Sequence, residues 1–418
     1  MKRIRFYSLP HGEKQYSILF LWIVIVINTY GQNTSDSFYN NGNIKFKAGD
    51  YQGAILDYTK AIEKQANHIN AYYRRAVAKG MLDQYKNALA DYNKVIELKP
   101  DYADAYYNRA ITKSGLKDHR GAIQDFDNAI RLKPDNVDAY YNRGKEKQGL
   151  GDFKGAIEDY TKIIKVKPNY TQAYYNRAYA KGILNDFNGA KEDFDKIIEL
   201  KKNDEVAYYN RGAIKANLND HKGALEDFSK AIMIKPDYTE AFFNRANERK
   251  ILGDMDGAVM DFNKVIELKP DMASAYYFLG TIKADIGDFS GAIEDLSKAI
   301  ELKPKEAPAY YNRGGAWGFL GEYTKALQDY NKAIALNNNY TSAYYNRAVV
   351  KGTLGDRQGA IEDCNKVIEL KSDHAKAYFS RGDLKKKSGD ITGACADWNR
   401  ALELGHQISA DSLKSNCR

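Results

Sequence analysis

The sequence contains few of the residues from which active sites are usually built. Its 418 residues include only 3 cysteines and 6 histidines, and none of these is spaced like a set of metal ligands. The sequence also lacks a glycine-rich phosphate loop and a nucleophile motif. No catalytic site, metal site or bound cofactor is therefore expected, and we predict that the protein is not an enzyme.

A concentrated positive charge is also absent. The formal net charge is +8, and four basic residues against one acidic residue contribute +3 of it within the first 31 residues. In the rest of the chain, Lys and Arg alternate with Asp and Glu, which is typical of a solvated protein surface. Nucleic acid is therefore not an expected partner.

Long apolar runs are rare, and the clearest one lies near the start of the sequence. The run SILFLWIVIVI extends from Ser17 to Ile27, follows basic residues and precedes the small residues Thr29 and Gly31. This pattern predicts a signal peptide at residues 1–31 and export to the periplasm or the medium. A membrane span needs about 20 apolar residues. An uncleaved N-terminal anchor remains the alternative, and it is the only case in which a membrane is expected as a partner.

One motif, by contrast, is abundant. The string AYYNR occurs six times, at offsets that are multiples of 34. Rows of 34 residues from Ser35 to Ile408 give eleven repeats without insertion or deletion. Glycine is common at repeat position 15 and Asp at position 16, which suits the end of one helix and the start of the next. The sequence therefore predicts an all-α protein with two helices in each repeat.

The positions of small residues carry a family resemblance. Position 20 is Ala in every repeat, position 8 is Gly or Ala, position 24 is usually aromatic, and proline often stands at position 32. This pattern resembles the tetratricopeptide repeat family across residues 35–408. The resemblance implies a right-handed α-solenoid, or superhelix, of about eleven helix-turn-helix repeats whose first helices line a concave groove. The chain departs from the family by having Arg at position 7 in nine repeats and Lys or Arg at position 11 in ten.

These unusual basic residues predict structural ion pairs. A helical wheel places positions 7 and 11 on the packed side of the first helix, and position 23 of the second helix is Asp in every repeat. We predict that the basic pair meets this Asp, and the alternative is that the long side chains reach solvent beside an exposed carboxylate. The predicted groups include Arg177 and Lys181 with Asp193, and Arg211 and Lys215 with Asp227.

The opposite side of the first helix is predicted to bind a ligand. Position 6 is Asn in eight repeats, although Asn is a poor helix former. An amide can pair with the main chain of an extended peptide, and the pattern resembles asparagine ladders that hold peptides in this family. The alternative is that each Asn bridges to the neighbouring repeat. The predicted peptide-binding asparagines are Asn108, Asn142, Asn176, Asn210, Asn244, Asn312 and Asn346.

Aromatic residues accompany these asparagines. Position 5 is Tyr or Phe in every repeat, and a Tyr ring with its hydroxyl suits a recognition surface. The alternative is burial of the rings between adjacent first helices. Phe278 replaces one Asn and Phe319 stands on the groove side, so we predict an apolar pocket there, against the alternative of variation without function. The predicted binding tyrosines are Tyr107, Tyr141, Tyr175 and Tyr209.

The end of the sequence predicts a cap. Cys395 and Cys417 are expected to form a disulfide in an exported protein. The segment that contains these two cysteines resembles the C-terminal end of exported bacterial members of the family, in which a final helix covers the last repeat. Residues 409–418 would then form the capping segment. The alternative is two free thiols, and Cys364 is expected to be a buried thiol in the core.

Taken together, these patterns predict a non-enzymatic scaffold that binds an extended peptide or protein segment along its concave groove. The rigid repeats would hold Asn and Tyr at fixed spacing, which lowers the entropic cost of binding. One alternative is a structural component of a cell-envelope assembly that uses the outer face or the edges. A second alternative, carbohydrate binding by the tyrosines, has less support from the sequence.

Overall fold

The computed structural model describes residues 34–417, so the predicted signal peptide at residues 1–31 lies outside the described residues. Within residues 34–417 there are 23 α-helices and no strand, which confirms the all-α class. The chain divides into two compact units, one up to Lys202 and one from Asn203. Each unit is a stack of helix pairs.

The first unit contains five helix pairs. Each pair has a first helix of 13 residues and a second helix of 14 residues. Its helices are α1 (Ser35–Lys47), α2 (Tyr51–Lys64), α3 (Ile69–Met81), α4 (Tyr85–Leu98), α5 (Ala103–Gly115), α6 (His119–Leu132), α7 (Val137–Gly149), α8 (Phe153–Val166), α9 (Thr171–Ile183) and α10 (Phe187–Leu200).

The second unit contains six helix pairs and a short terminal helix. Its helices are α11 (Glu205–Asn217), α12 (His221–Ile234), α13 (Thr239–Ile251), α14 (Met255–Leu268), α15 (Ala273–Asp285), α16 (Phe289–Leu302), α17 (Ala307–Phe319), α18 (Tyr323–Leu336), α19 (Thr341–Thr353), α20 (Arg357–Leu370), α21 (Ala375–Lys387), α22 (Ile391–Glu403) and α23 (Ser409–Asn416).

The turn inside each repeat follows from two adjacent positions. Position 15 has a positive φ, at Gly151 (82°) and even at Lys117 (64°), so it ends the first helix in the left-handed region. The next residue caps the second helix, as Asp152 does by accepting the Gly155 N–H at 2.9 Å. A Cβ at Gly155 would lie 2.3 Å from the Asp152 carboxylate, so this cap requires glycine three residues later.

Small residues bring the two helices of a repeat together, as the sequence predicts. Ala156 is completely buried, and a Cβ added at Gly144 on the facing helix would lie 2.9 Å from the Tyr160 ring. Aromatic rings at position 24, such as Tyr160 and Phe228, are completely buried. In most repeats the core is therefore an aromatic ring packed against two small residues, and Leu296 and Cys364 take the place of the ring in the other two.

Successive repeats pack side by side within each unit. The second helix of one repeat contacts the first helix of the next, and most neighbouring first helices also contact each other. The surface formed by positions 2, 9, 12 and 13 of the first helices is called the first-helix face below. Among the described residues, no helix is both long and apolar enough to cross a membrane.

Candidate functional site

The predicted asparagine and tyrosine rows meet each other between neighbouring repeats. In five pairs the Asn Nδ2 donates a hydrogen bond to the Tyr hydroxyl of the preceding repeat. The length is 2.7 Å from Asn108 to Tyr73 and 3.1 Å from Asn312 to Tyr277. The other three pairs are Asn142 with Tyr107, Asn244 with Tyr209, and Asn346 with Tyr311.

These bonds place the two rows largely inside the repeat interface. Asn108 is 2% exposed and Tyr107 is 6% exposed, and the Tyr107 ring packs edge-on against Phe126 at 5.8 Å. The helical wheel put both positions on an open face because it considered one repeat alone, whereas the adjacent first helix covers them. The sequence leaves two alternatives open for these asparagines. The five named here bridge to the neighbouring repeat.

The remaining predicted tyrosines and asparagines are half-buried. The Tyr141 ring lies 6.0 Å from the Tyr170 ring, and the Tyr175 ring lies 5.9 Å from the Phe194 ring. Asn210 donates to the Val206 carbonyl oxygen at 2.8 Å, and Asn176 is half-buried beside Tyr175 in α9. Each of these side chains still presents part of its surface to solvent.

A natural exchange at one interface supports the structural role of the Tyr–Asn bond. Phe243 stands where other repeats have Tyr and offers no hydroxyl, and the Asn of the following repeat is replaced by Phe278. The two rings pack 5.7 Å apart, and Phe278 also stacks on Phe262 at 5.9 Å. An apolar pair has therefore replaced a polar pair, as expected when both members of a buried hydrogen bond are changed together.

We expect replacement of Asn108 by Ala to lower the free energy of unfolding by about 2 kcal/mol, because the Tyr73 hydroxyl is then buried without its partner. The same replacement at Asn40, which is exposed in the first described repeat, should change it by less than about 0.5 kcal/mol. Urea unfolding followed by circular dichroism measures both. Equal effects at the two positions would contradict the interface role.

The basic residues at positions 7 and 11 converge on a buried carboxylate. Asp193 is 2% exposed, and it accepts bonds from Arg177 Nε at 3.0 Å and Nη2 at 2.5 Å. Lys181 Nζ lies 3.0 Å from the same carboxylate. Arg211 and Lys215 hold Asp227 at 2.6 and 2.9 Å. The arrangement repeats along both units.

The arginines also join successive repeats, which the sequence did not predict. Arg177 Nη1 donates to Thr161 Oγ1 of the preceding repeat at 3.0 Å, and Arg313 donates to Ser297 Oγ at 3.0 Å. The guanidinium therefore binds the carboxylate of its own repeat and a polar side chain of the previous one. This charge network connects the repeats and offers no exposed reactive group.

Two histidine–glutamate contacts were also missed at the sequence level. His119 Nδ1 lies 2.6 Å from Glu146 Oε2, and His221 Nδ1 lies 2.7 Å from Glu248 Oε2. Both pairs are 27 residues apart and cross from one repeat to the next. Glu occurs at position 10 only after a repeat with His at position 17, and this coincidence is the signal that could have revealed the pairs.

The C-terminal cysteines are joined to each other. A disulfide links Cys395 in α22 to Cys417, just after α23, and α23 packs against α22. Cys364 is completely buried, and burial raises the pKa of its thiol to about 12. This thiol is therefore protonated and unreactive at neutral pH.

One open pocket lies on the first-helix face of the second unit. The Phe319 side chain is 78% exposed and stacks on Phe289 with ring centroids 4.7 Å apart. The two rings border a cavity of about 240 Å³ that is also lined by Gly315, Asn312 and Asn346. This cavity is called the Phe319 pocket below. Phe278, which the sequence placed in the same apolar pocket, is not part of its lining and packs between repeats.

No group of acidic, histidine and cysteine side chains within residues 34–417 is arranged to hold a metal ion. The first-helix face carries charged side chains such as Asp138 and Lys145, together with amides, aromatic rings and the Phe319 pocket. Such a surface can bind polar main chain and apolar side chains.

Models of the repeat family match most of the described chain. A model described as TPR repeat matches residues 81–113, 116–149, 280–316 and 320–355. Two models described as tetratricopeptide repeat match residues 137–170 and 206–238, and residues 171–204, 239–272 and 341–374. No curated protein shows significant similarity to the sequence.

Several solved structures resemble parts of the chain. MamA is 32% identical over 40% of this chain and 96% of its own, with a TM-score of 0.38. YrrB, described as a TPR protein with an unusual peptide-binding site, is 27% identical over 44% and 95%, with a TM-score of 0.41. A tetratricopeptide repeat protein from Parabacteroides merdae is 20% identical over 59% and 99%, with a TM-score of 0.45. Since the family models together match more than half of the sequence, the chain belongs to the tetratricopeptide repeat family.

Proposed function

We propose that the protein is a non-enzymatic scaffold that binds an extended segment of a partner protein on its first-helix face, with the Phe319 pocket as the anchor. The observation that carries this proposal is the exposure of Phe319. A large ring that is 78% exposed loses the hydrophobic gain of burial unless a partner covers it. Family membership supports a role in protein interaction.

The glycine beside this ring supports a binding role. Gly314 has a packing reason, since a Cβ there would lie 3.0 Å from the Tyr330 ring. Gly315 has none, because the nearest atom to its Cβ position is 3.9 Å away. A glycine within a helix costs about 1 kcal/mol relative to alanine. Because Gly315 has no side chain in the pocket lining, the backbone of a partner has room to approach closely.

The asparagines retain a role in this proposal, although a smaller one. An amide carries two N–H donors and one carbonyl acceptor, and the bond from Asn312 to Tyr277 uses a single donor. Asn312 and Asn346 both line the Phe319 pocket. Their remaining groups suit the N–H and C=O of an extended main chain, which displays both along its length.

Export is the second part of the proposal. The disulfide between Cys395 and Cys417 supports an oxidising compartment, since such bonds are rare in proteins kept in the reducing cytosol. The predicted signal peptide at residues 1–31 points the same way. We propose a periplasmic or secreted location, with the uncleaved membrane anchor as the alternative.

Replacement of Phe319 by Ala tests the anchor. Peptides selected from a displayed random library by binding to the wild-type protein should bind the variant about tenfold more weakly or worse, because an interface anchor contributes about 2 kcal/mol. The matched control is Met233→Ala. Met233 is also a large exposed side chain, 63% accessible, but lies on the second helix α12. Fluorescence anisotropy with labelled peptides measures both affinities.

Gly315→Ala separates binding from stability in the same experiment. The added methyl should raise helix stability by about 0.5–1 kcal/mol while it narrows the pocket and weakens peptide binding. If Phe319→Ala binds the peptides as well as the wild type and Met233→Ala does not, the outer face is the interaction surface. The alternative of an envelope assembly that uses the outer face would then replace the proposal.

A further inference from the structure

The junctions between repeats contain a recurrent pair of packed aromatic rings. The residue at position 34, which ends a repeat, packs against the position-5 ring at the start of the same repeat. Ring centroids are 5.1 Å apart for Tyr73 and Tyr102, 5.0 Å for Tyr209 and Tyr238, and 4.9 Å for Tyr311 and Tyr340. In these three repeats the terminal ring lies at nearly the same distance from the position-5 ring, whereas the fourth terminal tyrosine, Tyr170, meets Tyr141 edge-on at 6.0 Å.

A lysine lies over the terminal ring in two of the repeats. Lys99 Nζ lies 5.3 Å from the Tyr102 ring centroid, and Lys235 Nζ lies 5.0 Å from that of Tyr238. Both lysines stand at position 31. The terminal ring therefore contacts both a tyrosine and an ammonium group, and the cation attracts the electron-rich face of the ring.

Three repeats keep the frame formed by the tyrosine and the lysine but have no ring at position 34. Two of them end in Asn136 and Asp204, whose side chains cap the next helix. In the third, Tyr277 and Lys303 stand at positions 5 and 31, and position 34 is Glu306. At that place there is a cavity of about 230 Å³. Its lining includes Tyr277, Ala299, Lys303, Glu306, Pro308 and Ala309. Because a cavity of about 150 Å³ holds a benzene molecule, this cavity has room for a phenol ring.

Other repeats without a terminal ring use the position in a different way. Asn136 caps the next helix by accepting the Ala139 N–H at 3.1 Å, and Met272 packs against the apolar cluster that contains Phe242. Glu306 is exposed and makes no capping hydrogen bond from its side chain. The Glu306 repeat therefore combines an intact frame with an unfilled ring site.

We propose that this cavity binds a tyrosine side chain of the partner segment, which takes the place that the chain's own tyrosine occupies in other repeats. The ring of the partner would pack against Tyr277 and Lys303. Its phenol hydroxyl would donate a hydrogen bond to the Glu306 carboxylate. The inference rests on the proposed function, because it names a residue that the bound segment contains.

The distance between the two cavities predicts how far apart the two binding side chains of the partner should be. The Tyr277 hydroxyl bonds to Asn312, which lines the Phe319 pocket, so the two cavities flank this bond. The α15 residues that line the Phe319 pocket extend from Thr281 to Asp285, which is 4 to 8 residues, or roughly 6–12 Å, along the helix from Tyr277. An extended chain covers this distance in about two to four residues. The partner should therefore carry a tyrosine about two to four positions from an apolar residue.

The test uses two single-residue probes on the full chain, N-acetyltyrosinamide and N-acetylleucinamide, observed by saturation-transfer NMR. The wild type should bind the tyrosine probe about tenfold more tightly than the leucine probe. Glu306→Tyr fills the cavity with the chain's own ring and should weaken binding of the tyrosine probe about tenfold. It should also fold normally, because Tyr is native at this position in four repeats. Glu306→Gln leaves the cavity open and should keep at least half of the affinity.

A second variant should create the site elsewhere. Tyr238→Glu removes the ring between Tyr209 and Lys235, so the number of tyrosine-probe sites should rise from one to two. The inference is overturned if Glu306→Tyr binds the tyrosine probe like the wild type, if the leucine probe binds equally well, or if neither probe binds at its solubility limit.

These outcomes are separable from the fate of the proposed function. Met233→Ala, on the second helix α12 and outside both cavities, should leave binding of the single-residue probe unchanged. If library peptides ignore Phe319 while the probe still needs the open cavity, the anchor proposal fails and the tyrosine site remains. If library peptides need Phe319 but bind Glu306→Tyr normally, the scaffold proposal holds and the tyrosine site is wrong.

Discussion

Replacement of Asp193 by Ala is expected to lower the free energy of unfolding by about 3–5 kcal/mol, because it leaves two basic groups without their buried partner. Asp193 is 2% exposed and binds Arg177 and Lys181, whose side chains are only 15% and 14% exposed. Without the carboxylate, these two cations face each other where water reaches them poorly. An exposed ion pair would contribute less than about 1 kcal/mol.

The chain supplies its own control for this prediction. At Asp295 the arginine is replaced by Leu279, so Lys283, at 2.7 Å, is the one basic partner among residues 34–417. Burial raises the pKa of Asp295, and the bond to Lys283 only partly opposes the shift. Because the pKa of the Asp295 carboxyl group is raised in the folded state, the folded state loses stability as the pH rises through that pKa and the group becomes charged. Asp295→Ala should therefore cost much less than Asp193→Ala at neutral pH.

Because groups of repeats can unfold separately, unfolding must be measured both for the whole chain and for each helix. Thermal unfolding by circular dichroism should show a large shift for Asp193→Ala, and hydrogen exchange should accelerate first in α9 and α10. A shift equal to that of Asp295→Ala would mean that the number of basic partners does not determine stability. That result would remove the structural account of Arg at position 7.

The sequence was sufficient for features that depend on one repeat. The period of 34, the left-handed residue at position 15 and the small residues at positions 8 and 20 act within a single helix pair. Their consequences follow from backbone conformation and side-chain volume. The ion pairs at Asp193 also lie within one repeat, so a helical wheel brought Arg177 and Lys181 to the correct carboxylate.

Features that depend on two repeats were harder to predict. The helical wheel assigned Tyr107 and Asn108 to an open face because it contains no neighbouring helix, and both residues are buried. Phe278 was assigned to a pocket for the same reason, whereas its packing against Phe243 follows from reading position 5 of one repeat beside position 6 of the next. Pairs of positions across repeat boundaries carry the missing information.

The two cavities differ in how they could have been found. The cavity beside Tyr277 follows from an absence, since Glu306 stands where several repeats have an aromatic ring. The Phe319 pocket depends on the stacking of Phe319 on Phe289, a contact between different repeats that no period reveals. Departures from the repeat pattern are therefore the best sequence signal for binding sites in this chain, although they do not give geometry.

Replacement of Cys417 by Ser should lower the stability of the last repeats by about 3 kcal/mol. The disulfide to Cys395 spans 22 residues, and closing a loop of this length restricts the unfolded chain by about that amount. It also holds α23 against α22, where Ser409 is completely buried. Within residues 34–417 the short helix α23, and not another repeat, packs against α22, so that side of the repeat depends on it.

Hydrogen exchange with and without reductant measures this effect locally. Reduction of the wild type should accelerate exchange in α21 and α22 and leave the first unit, up to α10, unchanged. Reductant should have no effect on Cys417→Ser kept as a monomer, because Cys395 has then lost its disulfide partner and Cys364 is a completely buried thiol. If wild-type exchange is the same in both conditions, α23 is held by packing alone. The disulfide would then lose its structural reason, and with it the support it gives to export.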